Sequence, residues 1–280
     1  MSGPRARATL DKADSPRQSW LASGVRPHSF GIHWRVLLGY AAGIAAGVLA
    51  WQLIGLHSAN FVFVPLTTTL SSLGSLISDG SLPRALGSSF SVYAIGVALA
   101  IVAGAATGML FARRALLRKA FEPYLVALYA TPMVALIPFL LALLGLGFWP
   151  KVIVVFLFAF FPVEFATQRG AQSIAPELLD VARAFRTSER QIWRHVVIPY
   201  TLPYLMTGVR QALARGLVGM ISAEFFLSAG GLGSLLITQS EQFDTGDMLA
   251  VTLIITVIGV VLMAIGRTFE RRFARWRVTS

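Results

Sequence analysis

Few side chains in this sequence have the types and spacing that catalysis requires. The histidines (His28, His33, His57 and His195) are scattered, and none belongs to an H-E-x-x-H metal motif. The chain has no cysteine, which excludes disulfides, thiolate metal sites and cysteine nucleophiles. No G-x-x-x-x-G-K-[ST] phosphate loop occurs, so the chain cannot hydrolyse ATP by that mechanism. We therefore expect a protein that is not itself an enzyme and has no cofactor and no metal site.

Two carboxylates, Glu164 and Glu224, lie in apolar stretches where a charge is costly. Glu224 has two interpretations: a pathway or gate residue for a transported solute, or an internal partner for another helix, another subunit or a backbone group. Arg210 and Arg215 precede it by about 21 and 13 Å along an ideal helix. A direct pair between Glu224 and either arginine within one helix is therefore not expected. Glu164 receives no role from the sequence.

The elements that must position these carboxylates are membrane-spanning helices. Hydrophobic residues make up 55% of the chain and charged residues only 13%, which excludes an ordinary soluble domain. Several stretches are long and apolar enough to cross a hydrocarbon core as helices. We predict an all-α integral membrane protein with six transmembrane helices, at about 35–56, 85–111, 122–148, 152–168, 204–229 and 247–266.

The distribution of positive charge predicts the orientation of these helices. Of 24 Lys and Arg residues, only Arg84 and Lys151 fall in the three predicted outer loops. This alternation follows the positive-inside rule, with both termini cytoplasmic. The net charge of +11 is thus explained by topology, and no nucleic-acid partner is expected.

The predicted organisation has five parts. A basic arm, interpreted as disordered, precedes the first span, and a basic tail closes the chain. After Pro65, Leu66, Leu70, Leu73 and Ile77 recur at helical spacing, which indicates a short interfacial helix that either packs on the rim of the bundle or contacts a receptor. The parts are the arm 1–32, the first helix 33–57, an external loop 58–84, a transmembrane core 85–268 that includes a cytoplasmic loop 171–203, and the tail 269–280.

The cytoplasmic loop has the pattern of two short helices. Pro176 and Glu177 favour a helix start, and Ser188 with Gln191 matches a capping box for the second helix after a break at Thr187 or Ser188. Pro199 and Pro203 are expected to end that second helix. Apolar side chains line one face of each helix: Leu178, Val181, Ala182 and Phe185 in the first, and Ile192, Trp193, Val196 and Val197 in the second. The pattern allows either docking into a groove on another protein or packing beneath the membrane domain.

The spacing of this loop resembles the EAA loop of the permease subunits of bacterial ATP-binding-cassette importers. Asp180-Val181-Ala182 stands at the E-A-A position, Arg186 stands where Gly is usual, and Val196 with Ile198-Pro199 matches the end of the motif. Because Gly normally permits a left-handed turn, Arg186 indicates either a different turn geometry or a turn displaced to Thr187-Ser188.

The resemblance extends over about residues 60–275 and is closest to the permeases of nitrate, taurine, aliphatic sulfonate and thiamine-precursor importers. The supporting motifs, in chain order, are Thr131-Pro132, Ala135 to Pro138, Phe160-Phe161-Pro162, Gly208-Val209-Arg210, Ala223-Glu224 and Gly230-Gly231-Leu232-Gly233. It implies a type I importer permease fold and a subunit of the bacterial inner membrane that crosses it several times.

The resemblance also implies partners and site residues. The partners are a cytoplasmic ATP-binding subunit, itself a dimer, an extracytoplasmic substrate-binding protein, a second permease copy and membrane lipid. The second copy is expected to be identical, although a paired heterodimer stays open. The expected coupling contacts are Asp180, Ala182, Arg183, Phe185 and Arg186, where Arg183 either pairs with an acidic residue of the ATPase or is simply solvated. The translocation path or gate is assigned to Glu224, Phe225, Gly231 and Gly233.

A secondary transporter or channel that works without ATP is the alternative from another class. It requires intramembrane ionisable groups for coupling ions, for which only Glu164 and Glu224 are candidates, and usually an internal repeat, which we do not find.

Overall fold

The computed structural model describes residues 34–58, 63–226 and 230–274, and within these ranges the regular structure is entirely helical. The predicted arm 1–32 and the last residues of the predicted tail, 275–280, lie outside the described residues. The helices in chain order are α1 Trp34–His57, α2 Leu66–Ser78, α3 Ser81–Arg113, α4 Ala115–Ala130, α5 Met133–Leu144, α6 Phe148–Gln172, α7 Pro176–Ala184, α8 Glu189–Ile192, α9 Ile198–Phe226, α10 Leu232–Glu241 and α11 Thr245–Ala274.

The chain divides into two units, residues up to Val48 and residues from Leu49 onward. The described part of the first unit is the beginning of α1. The second unit contains the remainder of α1 and all the later helices, and the site described below lies entirely within it.

The core of the second unit forms where α6 packs along both α3 and α9. Glycines allow this close approach: a Cβ added at Gly96 of α3 would stand 2.7 Å from the Val155 side chain, and one at Gly104 would stand 2.9 Å from Val163. Gly108, one turn further along α3, lies against the backbone of Glu164. Small residues at these positions therefore permit the close packing of α3 on α6.

Among the described residues, length and composition identify four helices that can cross a membrane, α1, α3, α6 and α11, and a fifth crossing if α4 and α5 form one bent span. The helix α9 occupies the fifth predicted span but is not among them, and it carries Arg210, Arg215 and Glu224. The end of that predicted span, 227–229, lies outside the described residues. The total of six spans therefore stays a prediction.

The third predicted span is built from two helices rather than one, and whether the pair forms a single bent crossing stays a prediction. The helices α4 and α5 meet at an angle of 101°. Proline explains the break, because Pro132 lacks an N–H and excludes helical geometry at the residue before it. Thr131 is accordingly extended, with a ψ of 135°, and its hydroxyl and N–H both donate to the Ala127 carbonyl.

The short helix predicted after Pro65 is present as α2. The indole N–H of Trp51 donates to the Val64 carbonyl at 3.2 Å, and the Gln52 side chain exchanges hydrogen bonds with Thr67 at the start of α2. These contacts fix α2 to the end of α1. Whether α2 lies along a membrane interface stays a prediction.

Candidate functional site

The loop between α6 and α9 folds as a pair of short helices. Pro176 occupies the first position of α7 and Glu177 its first turn, as the sequence predicts. Ser188 caps α8 with a full capping box: its hydroxyl accepts the Gln191 N–H, and the Gln191 side chain accepts the Ser188 N–H at 3.0 Å. Both predicted helix starts are confirmed.

The turn between α7 and α8 lies at Phe185-Arg186, before the predicted break at Thr187 or Ser188. Arg186 has a φ of +54°, so it adopts the left-handed conformation that Gly normally supplies. The Arg186 N–H donates to the Arg183 carbonyl at 2.8 Å, and the Thr187 N–H to the Ala182 carbonyl at 3.4 Å, which is the Schellman pattern. Arginine therefore keeps the usual turn, at a cost of about 1–2 kcal/mol for a left-handed non-glycine residue. The displaced-turn interpretation is wrong.

The apolar side chains of α7 fall on two sides of the helix. Leu178, Val181 and Phe185 are exposed, Phe185 by 81%, and we call these three residues the α7 ridge. Ala182 is half-buried and faces the other way, where it packs with Leu179 on a cluster of Ile174, Ile192 and Val197. The four residues predicted to share one face are thus divided into an outward ridge and an inward anchor.

The apolar face of the second helix is directed inward. Ile192 and Val197 are buried, and Trp193 and Val196 pack against the same cluster, which also contacts Met109 of α3 and Ala171 of α6. The guanidinium of Arg113 stacks over the Trp193 ring at 5.4 Å. The two interpretations of the loop therefore apply to different faces: one packs beneath the bundle and the other is open.

The charged residues of α7 pair with each other. The Arg183 guanidinium lies 3.2 Å from the Asp180 carboxylate, one turn earlier, and both side chains are well exposed. An exposed pair of this kind contributes little stability. The pairing within the helix leaves both groups available at the surface, and both interpretations of Arg183, an ATPase contact and a solvated charge, stay open.

Pro199 and Pro203 do not end the second helix, which corrects the sequence prediction. The chain passes from α8 through a π-helical turn, Trp193–Val197, directly into α9. A proline removes one backbone hydrogen bond and crowds the carbonyl four residues earlier, and the wider turn just before Pro199 accommodates both effects.

A second cluster surrounds Glu224, whose side chain is fully buried. One carboxylate oxygen accepts the Ser89 hydroxyl at 2.7 Å and the other accepts the Gly233 N–H at 2.8 Å. Lys151, whose ammonium donates to the Gly230 carbonyl at 2.9 Å, also acts electrostatically on this carboxylate. The partners of Glu224 thus lie on α3 and at the start of α10, and neither Arg210 nor Arg215 is among its hydrogen-bond partners.

The other predicted gate residues lie close to Glu224. Gly231 has a φ of +113°, and a Cβ there would overlap the Glu224 carboxylate. A Cβ at Gly233 would stand 2.7 Å from the Glu224 side chain and 3.2 Å from the Phe225 ring. The structure therefore brings Glu224, Phe225, Gly231 and Gly233 together, and glycine at both positions leaves room for the carboxylate.

Sequence reasoning missed the partners of three charged residues, Glu224, Arg210 and Arg215. Ser89 carries no signal, because a serine in an apolar helix is common. Glu270 of α11 pairs with Arg210 at 2.7 Å and accepts the Thr207 hydroxyl at 2.8 Å, and Tyr129 of α4 accepts a hydrogen bond from Arg215. An arginine inside an apolar stretch indicates that a partner exists, because an unpaired charge there is costly. The stretch does not indicate which residue that partner is.

Glu164 of α6 is fully buried, and neither of its carboxylate oxygens has a hydrogen-bond partner among the described residues. No group of three or more His, Cys, Asp or Glu residues in the described ranges is placed to hold a metal ion.

Comparison with known proteins places this geometry in a family. The model of the family described as binding-protein-dependent transport system inner membrane component matches residues 100–275, more than half of the chain. The putative aliphatic sulfonates transport permease protein SsuC of Bacillus subtilis is 29% identical over 82% of this chain and 84% of its own length. The formylaminopyrimidine transport permease protein ThiX of Halalkalibacterium halodurans is 29% identical over 69% of this chain and 77% of its own length.

A third relative is also a transport permease, and two solved structures share the fold. The taurine transport system permease protein TauC of Escherichia coli is 24% identical over 89% of this chain and 95% of its own length. The inward-facing MetNI methionine ABC transporter shares the fold with a TM-score of 0.61 at 18% identity, over 69% of this chain and 96% of that chain. An amino acid ABC transporter shares it with a TM-score of 0.59 at 16% identity, over 71% of this chain and 97% of that chain. The chain therefore belongs to the binding-protein-dependent transport system inner membrane components, the permease subunits of type I ATP-binding-cassette importers.

Proposed function

We propose that this permease forms the path for a small solute of the nitrate, sulfonate, taurine or thiamine-precursor class and couples to a separate cytoplasmic ATPase through residues 176–199. The observation that carries the coupling proposal is the α7 ridge, an apolar strip left open on a helix pair whose other face is packed. An amphipathic helix of this kind fits a groove on a partner.

The coupling contact has a role for each predicted residue. Phe185, at the end of the ridge, is the apolar anchor, and the exposed Asp180–Arg183 pair supplies one charge of each sign beside it. Arg186 sets the angle between α7 and α8 through its left-handed turn. Ala182 acts from beneath, because its small side chain lets α7 lie close to the buried cluster.

The assembly follows from the same proposal. This subunit does not itself catalyse a reaction, and ATP is hydrolysed by a dimer of ATP-binding subunits. Two identical permease copies enclose the path, and an extracytoplasmic binding protein delivers the solute. Both termini lie in the cytoplasm, which the excess of Lys and Arg in alternate loops supports. We also propose the domain organisation given in the sequence analysis, with a transmembrane core at 85–268 and a coupling loop at 171–203.

The gate proposal rests on the cluster of Glu224, Phe225, Gly231 and Gly233. Glu224 ties the end of α9 to α3 and to the start of α10 through two hydrogen bonds. A relative movement of these helices during the transport cycle must break or carry those bonds. The cluster is thus a junction whose position changes with the state of the transporter.

Copurification tests the coupling proposal. The tagged permease is coexpressed with its ATPase and purified in detergent as wild type, as Asp180→Lys/Phe185→Asp, and as Phe243→Asp. Phe243 is a matched control, because it is also 81% exposed and also belongs to a short turn between two helices, but this turn joins α10 to α11. We expect the ATPase to copurify with the wild type and the control and to be lost from the double variant. Retention by the double variant would refute the assigned contacts, and failure of the wild type to retain any ATPase would refute the coupling itself.

A further inference from the structure

Arg215 lies at the middle depth of the helical core. The next residue, Gly216, packs against Val97 and Ala159, which occupy the middle turns of α3 and α6. Both of those helices are long and apolar enough to span a membrane. Arg215 also precedes the end of α9 by about 16 Å at 1.5 Å per residue. That distance is about half of a hydrocarbon core roughly 30 Å thick, so the guanidinium is far from either interface.

The guanidinium of Arg215 is exposed on this chain and lacks a carboxylate partner among the described residues. Its contacts are with Tyr129: Nη2 donates to the tyrosine hydroxyl at 3.4 Å, and the cation stands 5.7 Å from the ring centroid. A charge at this depth is costly against lipid and normally faces a bundle interior or a water-filled cavity. Arg215 must therefore face either a second subunit or the path itself.

Among the described residues, the helices packed around Arg215 present no exposed carboxylate at this depth to a second copy of this chain. The carboxylates of α3, α6 and α9 are Glu164 and Glu224, and both are fully buried within their own subunit. Glu122 of α4 lies within 3.9 Å of Arg118. In a pair of identical subunits the charge of Arg215 is thus left for a ligand.

The surroundings of Tyr129 are those of a solute path. Tyr129 ends α4 just before the 101° break at Thr131-Pro132, and broken helices occur at membrane depth where the backbone lines a cavity. Tyr129 also lines a cavity of about 310 Å³ that extends along α4 and α6 and is bordered by Glu122, Gln168, Arg169 and Gln172. This cavity leads from the middle of the core toward the predicted cytoplasmic side.

We propose that Arg215 and Tyr129 form an anion-binding station in the translocation path, which takes the sulfonate, carboxylate or nitrate group of the transported solute. A guanidinium presents paired donors that match such oxyanions. The Tyr129 hydroxyl accepts from Arg215, so its own hydrogen is free to donate to the anion. This inference rests on the proposed transport function and narrows the solute to an anion or a zwitterion with an anionic group.

Anion binding to the permease–ATPase complex in nanodiscs tests the anion-binding station in the absence of the extracytoplasmic binding protein. The melting temperature of the nucleotide-free permease–ATPase complex is measured at increasing concentrations of ethanesulfonate or nitrate. Chloride at matched ionic strength is the reference. The variants are Arg215→Gln, Arg215→Lys and Tyr129→Phe, with Arg267→Gln as the control because Arg267 is an exposed arginine of α11 outside the station. We expect a saturable shift for the wild type and the control. Loss of a charged hydrogen bond should raise the apparent dissociation constant at least about tenfold in Arg215→Gln, and less in the other two variants.

Two results would overturn the station: no saturable anion effect on the wild type, or the same effect in Arg215→Gln. Uptake into proteoliposomes with the cognate binding protein separates this failure from failure of the proposed function. Wild-type complex that takes up no solute in response to ATP refutes the transport proposal. ATP-driven uptake in which Arg215→Gln raises the KM for the anion but not for neutral formylaminopyrimidine supports the station, and an equal effect on both solutes refutes it.

Discussion

The Ser89 hydroxyl donates a 2.7 Å hydrogen bond to the Glu224 carboxylate and so joins α3 to α9 across 135 positions of sequence. The same hydroxyl oxygen accepts the Leu232 N–H at 2.8 Å. Ser89 is therefore the point where α3, α9 and the first turn of α10 meet. A buried polar network that is satisfied in this way fixes one arrangement of its helices.

Replacing Glu224 should loosen that junction. Glu224→Ala leaves the Ser89 hydroxyl and the Gly233 N–H without an acceptor inside the protein, which should cost about 2–4 kcal/mol of unfolding free energy. Glu224→Gln keeps one carbonyl oxygen and should cost less. Chemical unfolding in detergent measures both. Glu177→Ala, at an exposed site in α7, is the control and should change stability little. Equal stability of Glu224→Ala and the control would contradict the buried network.

Close packing of α3 on α6 can be tested with two glycines of one helix. A Cβ at Gly108 would stand 2.6 Å from the Glu164 carbonyl oxygen, whereas a Cβ at Gly87 would meet no atom within 4 Å. Gly108→Ala should therefore destabilise the protein by about 1–3 kcal/mol through overpacking. Gly87→Ala should be neutral or stabilising by up to about 1 kcal/mol, because alanine favours a helix. Detergent thermal unfolding measures the pair, and equal effects would refute the packing.

The left-handed Arg186 predicts an unusual response to glycine. Arg186→Gly should keep the turn and remove about 1 kcal/mol of backbone strain, so coupling to the ATPase should be preserved or strengthened. Arg186→Val should weaken coupling, because a β-branched residue tolerates a positive φ poorly. Substrate-stimulated ATPase activity of the assembled transporter is the measurement. Complete loss of transport in Arg186→Gly would contradict this account of the turn.

The ion pair between Arg210 and Glu270 should couple α9 to α11. The two groups are 2.7 Å apart with side-chain exposures of 29% and 26%, and Thr207 also donates to Glu270. Arg210→Met and Glu270→Met should each destabilise the protein, while the double variant should cost less than the sum by about 0.5–3 kcal/mol. The unfolding free energies of the wild type, the two single variants and the double variant complete the double-mutant cycle. Simple additivity would show that the pair contributes no interaction energy.

Local signals in the sequence predicted helix starts well. Pro176 with Glu177, and Ser188 with Gln191, act within one turn of backbone, so short-range chemistry decides them. The glycines of α3 are a local signal of the same kind, because small residues inside an apolar helix permit close packing. The EAA-like spacing of the α7–α8 loop could be recognised even though Arg186 stands where Gly is usual, and Arg186 still adopts the left-handed conformation that Gly normally supplies.

Features that depend on tertiary contacts escaped prediction. Pro132 breaks a helix, yet Pro199 and Pro203 lie within a continuous helical segment, in which a π-helical turn directly precedes Pro199. Sequence periodicity placed Ala182 with Phe185 on one face, but the position of the buried cluster decides which residues stay exposed. The partner of Glu224 depends on where α3 passes, which no local pattern of α9 records.

The unbroken run of α8, the π-helical turn and α9 has a mechanical consequence. It extends from Glu189, beside the α7 ridge, to Arg215 in the middle of the core, a length of about 39 Å at 1.5 Å per residue. A force applied at the cytoplasmic end of this continuous helical segment reaches the centre of the membrane as a tilt or a rotation of the segment, without a relay of side chains. The π-helical turn, which is less tightly wound, is where such a lever would flex. The movement of the transporter and its flexibility would then both depend on one continuous stretch of backbone.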